Sequence, residues 1–240
     1  MFPLRDTVRP RTRAYVTWGL IAVSVAAFLL ETSLRSRTFD SVVLPYGLIP
    51  ASLSLSDPAG WLTLLTSVFL HGSWLHLVSN LWTLFIFGDN VEDRLGHGRF
   101  LGFYLLSGVV AGLAHSLLAP GSTLPTIGAS GAIAGVLGAY FVLFPSARVL
   151  TFVPLIILPW LVEIPAFVYL GVWFLLQVSS GLLDLGAAGA FAGIAWWAHI
   201  GGFVFGALTA LLFLRPVRTA APPWYDDDLP LPSRQGGPSR

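Results

Sequence analysis

Charged residues along this chain come in short bursts, and the stretches between them are long and apolar. A helix that crosses a bilayer needs about 20 consecutive, mostly apolar residues. Residues 14–30 form the first such stretch. Residues 61–87 carry no charge and hold the second, which is predicted to begin near His71. Residues 100–147 also lack Asp, Glu, Lys and Arg. Pro120, Gly121, Ser122 and Pro125 divide them into a third span over 100–118 and a fourth over 127–144. Residues 149–165 are apolar too, but a helix there would lose backbone donors at Pro154, Pro159 and Pro165 that lipid cannot replace. They are predicted to be an interfacial connector. The fifth and sixth spans follow over 166–183 and 188–214.

The charges orient these spans. Arg5, Arg9, Arg11 and Arg13 precede the first span, as in a retained signal anchor. With that end inside, the inner loops carry Arg94 and Arg99, then Arg148, then Arg215 and Arg218. The outer loops carry Arg35 and Arg37 offset by Glu31, Asp40 and Asp57, and later only Asp184. Basic residues near span ends favour the cytoplasm, so the pattern predicts six spans with both termini cytoplasmic. The expected architecture is an all-α membrane protein, a six-transmembrane-helix bundle. Residues 1–13 form a cytoplasmic segment, 14–215 the membrane domain and 216–240 a disordered cytoplasmic tail with six prolines.

Composition narrows the function. Hydrophobic residues make up 55% of the 240 and charged residues 10%, against roughly 25% charged in soluble domains. A net charge of +1 gives no basic face for nucleic acid. The absence of Cys removes disulfides, thiolate metal sites and a cysteine nucleophile. No His/carboxylate set has zinc spacing, and no cofactor is expected.

Within the apolar stretches stand residues that carry chemistry. Ser130, in Gly128-Ala129-Ser130-Gly131, opens the fourth span, and His199 lies about three turns into the predicted sixth. Both spans enter from outside, so a nucleophile and a general base share one depth. An ionisable group at membrane depth is costly and usually functional. Ser130, Ala134 and Gly138 make one small-residue face and His199, Gly202, Gly206 and Ala210 another, as closely approaching helices require. His76 and Asn80 share a face of the second span, which suits oxyanion donors or an interhelical hydrogen bond, the commoner role for a membrane Asn. His71 suits the site entrance, His115 a bond to a neighbouring carbonyl or a place facing the cavity, and His97 a cytoplasmic loop. The nucleophile elbow of soluble hydrolases does not fit, since position 132 is Ala.

Four ordered motifs resemble the rhomboid intramembrane serine proteases. His71-Gly72-Ser73-Trp74-Leu75-His76-Leu77-Val78-Ser79-Asn80 is similar to the family's His-rich second span, and Gly88-Asp89-Asn90-Val91-Glu92-Asp93-Arg94-Leu95-Gly96 to the segment after it. Gly128-Ala129-Ser130-Gly131 is similar to the nucleophile motif and Ala198-His199-Ile200-Gly201-Gly202 to the base motif. The resemblance covers residues 15–214. It implies Ser130 as nucleophile, His199 as general base, and an oxyanion hole of His76, Asn80 and the Ser130 backbone N–H. Glu92 and Arg94 would be structural. Residues 44–61 resemble the family's partly embedded first loop. Some members place an aromatic four residues after the serine, stacked on the histidine; this chain has Ala134 there, leaving Trp196 or Phe203 to orient His199. The function implied is an intramembrane serine endopeptidase acting on transmembrane protein substrates, in the inner (cell) membrane of a bacterium. The alternatives are a catalytically inactive rhomboid-like membrane chaperone, against which both dyad residues stand, and a transporter, against which the lack of repeats stands.

Overall fold

A computed structural model of the protein describes residues 2–34, 40–54, 56–154, 159–186 and 194–215. The predicted tail (216–240), Arg35, Arg37 and the opening residues 188–193 of the predicted sixth span lie outside them. The helices are α1 (Tyr15–Leu34), α2 (Asp40–Tyr46), α3 (Pro58–Thr66), α4 (Trp74–Leu95), α5 (His97–Leu118), α6 (Ser130–Leu143), α7 (Ala166–Gly186) and α8 (Trp196–Thr209). Among the described residues four stretches are long and apolar enough to cross a membrane: Tyr15–Ser33, His97–Leu118, Ala166–Leu185 and Trp196–Phe213. A fifth arises when Pro58–Phe69 and Trp74–Leu95 are taken together, bent by 80° at the break, while α6 is a shorter apolar helix of 14 residues.

Capping chemistry explains why the charge-free stretch over 61–87 is not one straight span. The Asp57 carboxylate accepts the Ala59 N–H ahead of Pro58, which starts α3. The Ser73 hydroxyl accepts the His76 N–H at 3.1 Å and starts α4 after the break. The second long helix therefore begins at Trp74 rather than near His71. The part of the segment 44–61 that resembles an embedded loop holds the end of α2, a 3-10 turn over Pro50–Ser52 and the start of α3.

Large apolar side chains remain exposed on the outer faces of the long helices, Leu30, Leu106, Leu175 and Leu212 among them. Inside, Leu84, Phe87, Phe100, Phe103, Tyr104, Tyr140 and Leu170 pack into one core. An apolar exterior of this extent is what lipid covers, and the protein is integral to a membrane.

The Glu92 carboxylate is fully buried and holds the start of α1 from across the bundle. It accepts the Val16 N–H at 2.9 Å, the Thr17 N–H at 2.8 Å and the Thr17 hydroxyl at 2.7 Å. These are N–H groups that a helix cannot satisfy for itself, at the end where its dipole favours negative charge. His97 is not in a loop; it opens α5 with its Nδ1 2.6 Å from the same carboxylate.

The all-α expectation needs correction, because the molecule is mostly helical but contains a three-stranded antiparallel sheet. Strands β1 (Phe2–Asp6), β2 (Arg148–Pro154) and β3 (Pro159–Pro165) lie in the order β1-β2-β3. The stretch predicted as a connector is thus a hairpin. Pro154 pairs with Pro159 at its tip and Pro165 stands at the foot opposite Arg148, so the prolines sit at strand ends, where a lost donor costs least. The N-terminal segment supplies the third strand, with an irregularity between Pro3 and Arg5. Pairing satisfies backbone groups that a single apolar strand would leave bare. Beyond the sheet, the Trp82 indole N–H donates to the Pro3 carbonyl at 2.7 Å and the Asn90 amide to Asp6 Oδ2 at 2.8 Å. Tyr140 donates to the same Asp6 oxygen.

Candidate active site

The helix pair α6 and α8 meets backbone to backbone. A Cβ added at Gly202 would lie 2.1 Å from the Gly131 carbonyl oxygen, one at Gly206 1.9 Å from that of Gly135, and one at Gly138 2.1 Å from that of Phe203. The interface runs along the expected Ser130, Ala134 and Gly138 face and takes in Gly131 and Gly135 beside it. This closeness brings Ser130, the first residue of α6, to His199. Serine Oγ and His199 Nε2 are 2.8 Å apart.

His199 lies nearer its helix start than expected. Because α8 begins at Trp196, the histidine is in its first turn rather than three turns along, and both dyad residues sit at helix N-termini. Its other ring nitrogen, Nδ1, lies 2.8 Å from Gln177 Oε1 on α7. An amide oxygen only accepts, so Nδ1 carries the proton and Nε2 offers its lone pair to Ser130. Gln177 is 8% exposed and its own amide nitrogen donates to the Trp173 carbonyl at 3.3 Å. The ring of Trp173 lies 6.1 Å from that of His199, and Trp196 meets it edge-on at 6.3 Å. Trp196 thus takes part in place of the missing aromatic, whereas Phe203 packs on Trp173 and Phe174 one layer further out. The sequence reading missed Gln177 and Trp173. Their signal was a lone amide in an apolar span, four residues from a tryptophan and hence on its face.

The approach to Ser130 is shaped by Gly128, whose φ is +122°. A Cβ there would lie 2.6 Å from His76 Nε2 and 3.6 Å from Asn80 Nδ2, so only glycine lets both side chains come this near the backbone. Asn80 is 6% exposed, and its Nδ2 has no hydrogen-bond partner among the described residues. The first N–H groups of α6 have no partner within the helix and point the same dipole end at this space. His76, Asn80, Gly128, Ser130, Gly131 and His199 all line one cavity of about 890 Å³.

His115 and Asp184 line this cavity as well. His115 Nδ1 is buried without a hydrogen bond among the described residues, so the expected bond to a neighbouring carbonyl is absent at that atom. The hydrogen bond of Ser130 goes to His199. His71 is buried behind His76 rather than at an entrance; its Nδ1–H donates to the Phe69 carbonyl at 3.2 Å and its ring lies edge-on to His76 at 5.2 Å. Among the described residues no group of three or more His, Cys, Asp or Glu could hold a metal ion.

An apolar helical bundle with a serine–histidine pair at the meeting of two helix starts defines a class of membrane protein, and comparison names it. A model of the Rhomboid domain matches residues 58–216, and the chain belongs to the rhomboid family. It is 35% identical over 123 residues to Rhomboid protease GluP of Bacillus subtilis, a match covering 51% of this chain and 23% of that protein. It is 33% identical over 131 residues to the chloroplastic Rhomboid-like protein 11 of Arabidopsis thaliana, covering 55% and 43%. It is 28% identical over 194 residues to the mitochondrial Presenilin-associated rhomboid-like protein of Homo sapiens, covering 78% and 45%. The matches span less than half the length of each of these relatives.

Proposed function

We propose that the protein is an intramembrane serine endopeptidase that cuts transmembrane protein substrates with Ser130 as nucleophile and His199 as general base. The observation that carries this reading is the 2.8 Å contact of Ser130 Oγ with His199 Nε2 while Nδ1 is held by Gln177. In that arrangement His199 Nε2 takes the hydroxyl proton as Oγ attacks the scissile carbonyl. Charge developing on the carbonyl oxygen is met by Asn80 Nδ2, His76 and the backbone N–H of Ser130, donors fixed before the reaction begins. The protonated imidazole then gives its proton to the departing amine. Water entering the cavity hydrolyses the acyl-enzyme with His199 again as base. The cavity, with Ser79, His115, Ser122 and Thr126 among its lining residues, supplies polar walls for that water.

The six-span arrangement with cytoplasmic termini belongs to this proposal, with α6 as the short span and the bent pair counted as one. So does a bacterial cell membrane as its setting, on the strength of the Bacillus subtilis relative. The test is cleavage of a model transmembrane substrate by the purified protein. Wild type is expected to cleave, and Ser130→Ala to bind the substrate without cutting it. Turnover by Ser130→Ala overturns the assignment. Binding without cleavage by wild type favours the inactive, client-binding alternative.

A further inference from the structure

A second cavity, of about 370 Å³, lies between α1 and α4 toward the end of the bundle away from the dyad. Its volume falls within the range of about 300–1,000 Å³ that holds small ligands. Arg13 and Asp89 both line it, together with Tyr15, Trp18 and Phe85. The two opposite charges do not neutralise one another. Among the described residues the one ion pair within 4.0 Å is that of His97 with Glu92. Asp89 Oδ1 accepts the Asn90 N–H, so one carboxylate oxygen already points along the backbone. Thr12 is committed elsewhere, since both its N–H and its hydroxyl donate to Asp93 Oδ1. A cavity with a guanidinium and a carboxylate held apart calls for a molecule bearing both signs of charge.

The rest of the wall says where that molecule comes from. Tyr15 and Trp18 are exposed on the first turn of α1, and Trp18 meets the exposed Phe85 edge-on at 5.5 Å. Exposed aromatic rings at the ends of membrane helices sit at the level of lipid headgroups. We propose that this cavity binds the headgroup of a zwitterionic phospholipid carrying a primary ammonium, as phosphatidylethanolamine does. Its phosphate accepts hydrogen bonds from Arg13 and its ammonium donates to Asp89, while the acyl chains lie against Trp18 and Phe85. An anionic headgroup would satisfy Arg13 but have no ammonium to give Asp89. A quaternary ammonium has no N–H to give Asp89.

Native mass spectrometry of the full chain in detergent, with equimolar dioleoyl phosphatidylethanolamine, phosphatidylcholine and phosphatidylglycerol, tests the proposal. Wild type is expected to retain one phosphatidylethanolamine with roughly tenfold preference over the other two, the ratio of about one charge-assisted contact. Arg13→Gln should lower the retention of phosphatidylethanolamine about tenfold, and Asp89→Asn should abolish the preference over the other two lipids. Arg13 is exposed, so loss of lipid retention in Arg13→Gln decides the matter even where Asp89→Asn fails to fold. Equal retention of the three lipids by wild type, a preference for another lipid, or undiminished retention by Arg13→Gln overturns the proposal. Complete displacement of the lipid by soluble O-phosphoethanolamine also overturns it, by assigning the cavity to a free zwitterion.

Discussion

Replacing Gly202 by Ala adds one methyl group where the two dyad helices meet backbone to backbone. That methyl carbon would stand 2.1 Å from the Gly131 carbonyl oxygen, well inside the 3.0 Å that real contacts respect. The obstacle is backbone on both sides, so no side chain can swing away. The helices must part locally by about 1 Å, at an overpacking cost of about 1–3 kcal/mol. Gly202 lies three residues from His199, and Gly131 adjoins Ser130, so the separation falls on the dyad. A 2.8 Å hydrogen bond lengthened by about 1 Å is no longer one. A misplacement of that size costs about 10²-fold in rate. The assay is turnover of a model transmembrane substrate beside a thermal melt, with Gly102→Ala as control because a Cβ there meets nothing within 4 Å. Gly202→Ala should melt lower and lose about two orders of magnitude in kcat, while Gly102→Ala changes neither. Full activity in Gly202→Ala, or equal loss in both variants, would refute the close-packing argument.

Three further outcomes are expected. Asn80→Ala should lower kcat by roughly 10²–10³, the usual cost of one oxyanion donor; an altered KM with kcat intact would make Asn80 a binding residue instead. Gln177→Ala should lower kcat about tenfold with KM unchanged, since one hydrogen bond that fixes the imidazole tautomer is lost; unchanged kcat means that the tryptophans alone position His199. The third concerns Asp6 on β1, where burial pushes the carboxyl up to about 6, with the bonds from Tyr140 and Asn90 pulling partly back. A folded value above the ordinary 3.8 means that docking favours the protonated form. Strand docking should thus be strongest below the ordinary value and weaken as pH rises toward about 6. A nitroxide on Arg5→Cys should become more mobile between those limits in wild type and show no such change in Asp6→Asn. Identical pH curves for the two proteins would exclude Asp6 as the titrating group.

Much of this molecule was legible because membrane physics writes strongly into sequence. Apolar stretches without charge marked the long helices, and the short motifs around His76, Ser130 and His199 marked one site. What was hidden depended on distant partners. Phe2 pairs with Phe152 and Asp6 with Val149, and no local pattern in a short arginine-rich segment announces a strand whose partner lies more than 140 residues away. The prolines of the hairpin correctly argued against a helix, but an edge position and a strand end tolerate proline as well as an irregular connector does. The α6 interface was half legible. Spacing marked Ser130, Ala134 and Gly138, and only the position of α8 adds Gly131 and Gly135 to that face. Gln177 escaped because its meaning is set by His199, on another helix.

The most direct test of the central claim is to map where a fluorophosphonate probe attaches in the purified, folded protein by peptide mass spectrometry. A serine reacts with such a probe only when a base draws off its proton and donors hold the phosphonyl oxygen. One adduct on Ser130 is predicted in wild type, undiminished in His115→Ala and absent in His199→Ala. No adduct on Ser130 in wild type, or labelling that survives His199→Ala and disappears in His115→Ala, would contradict the account.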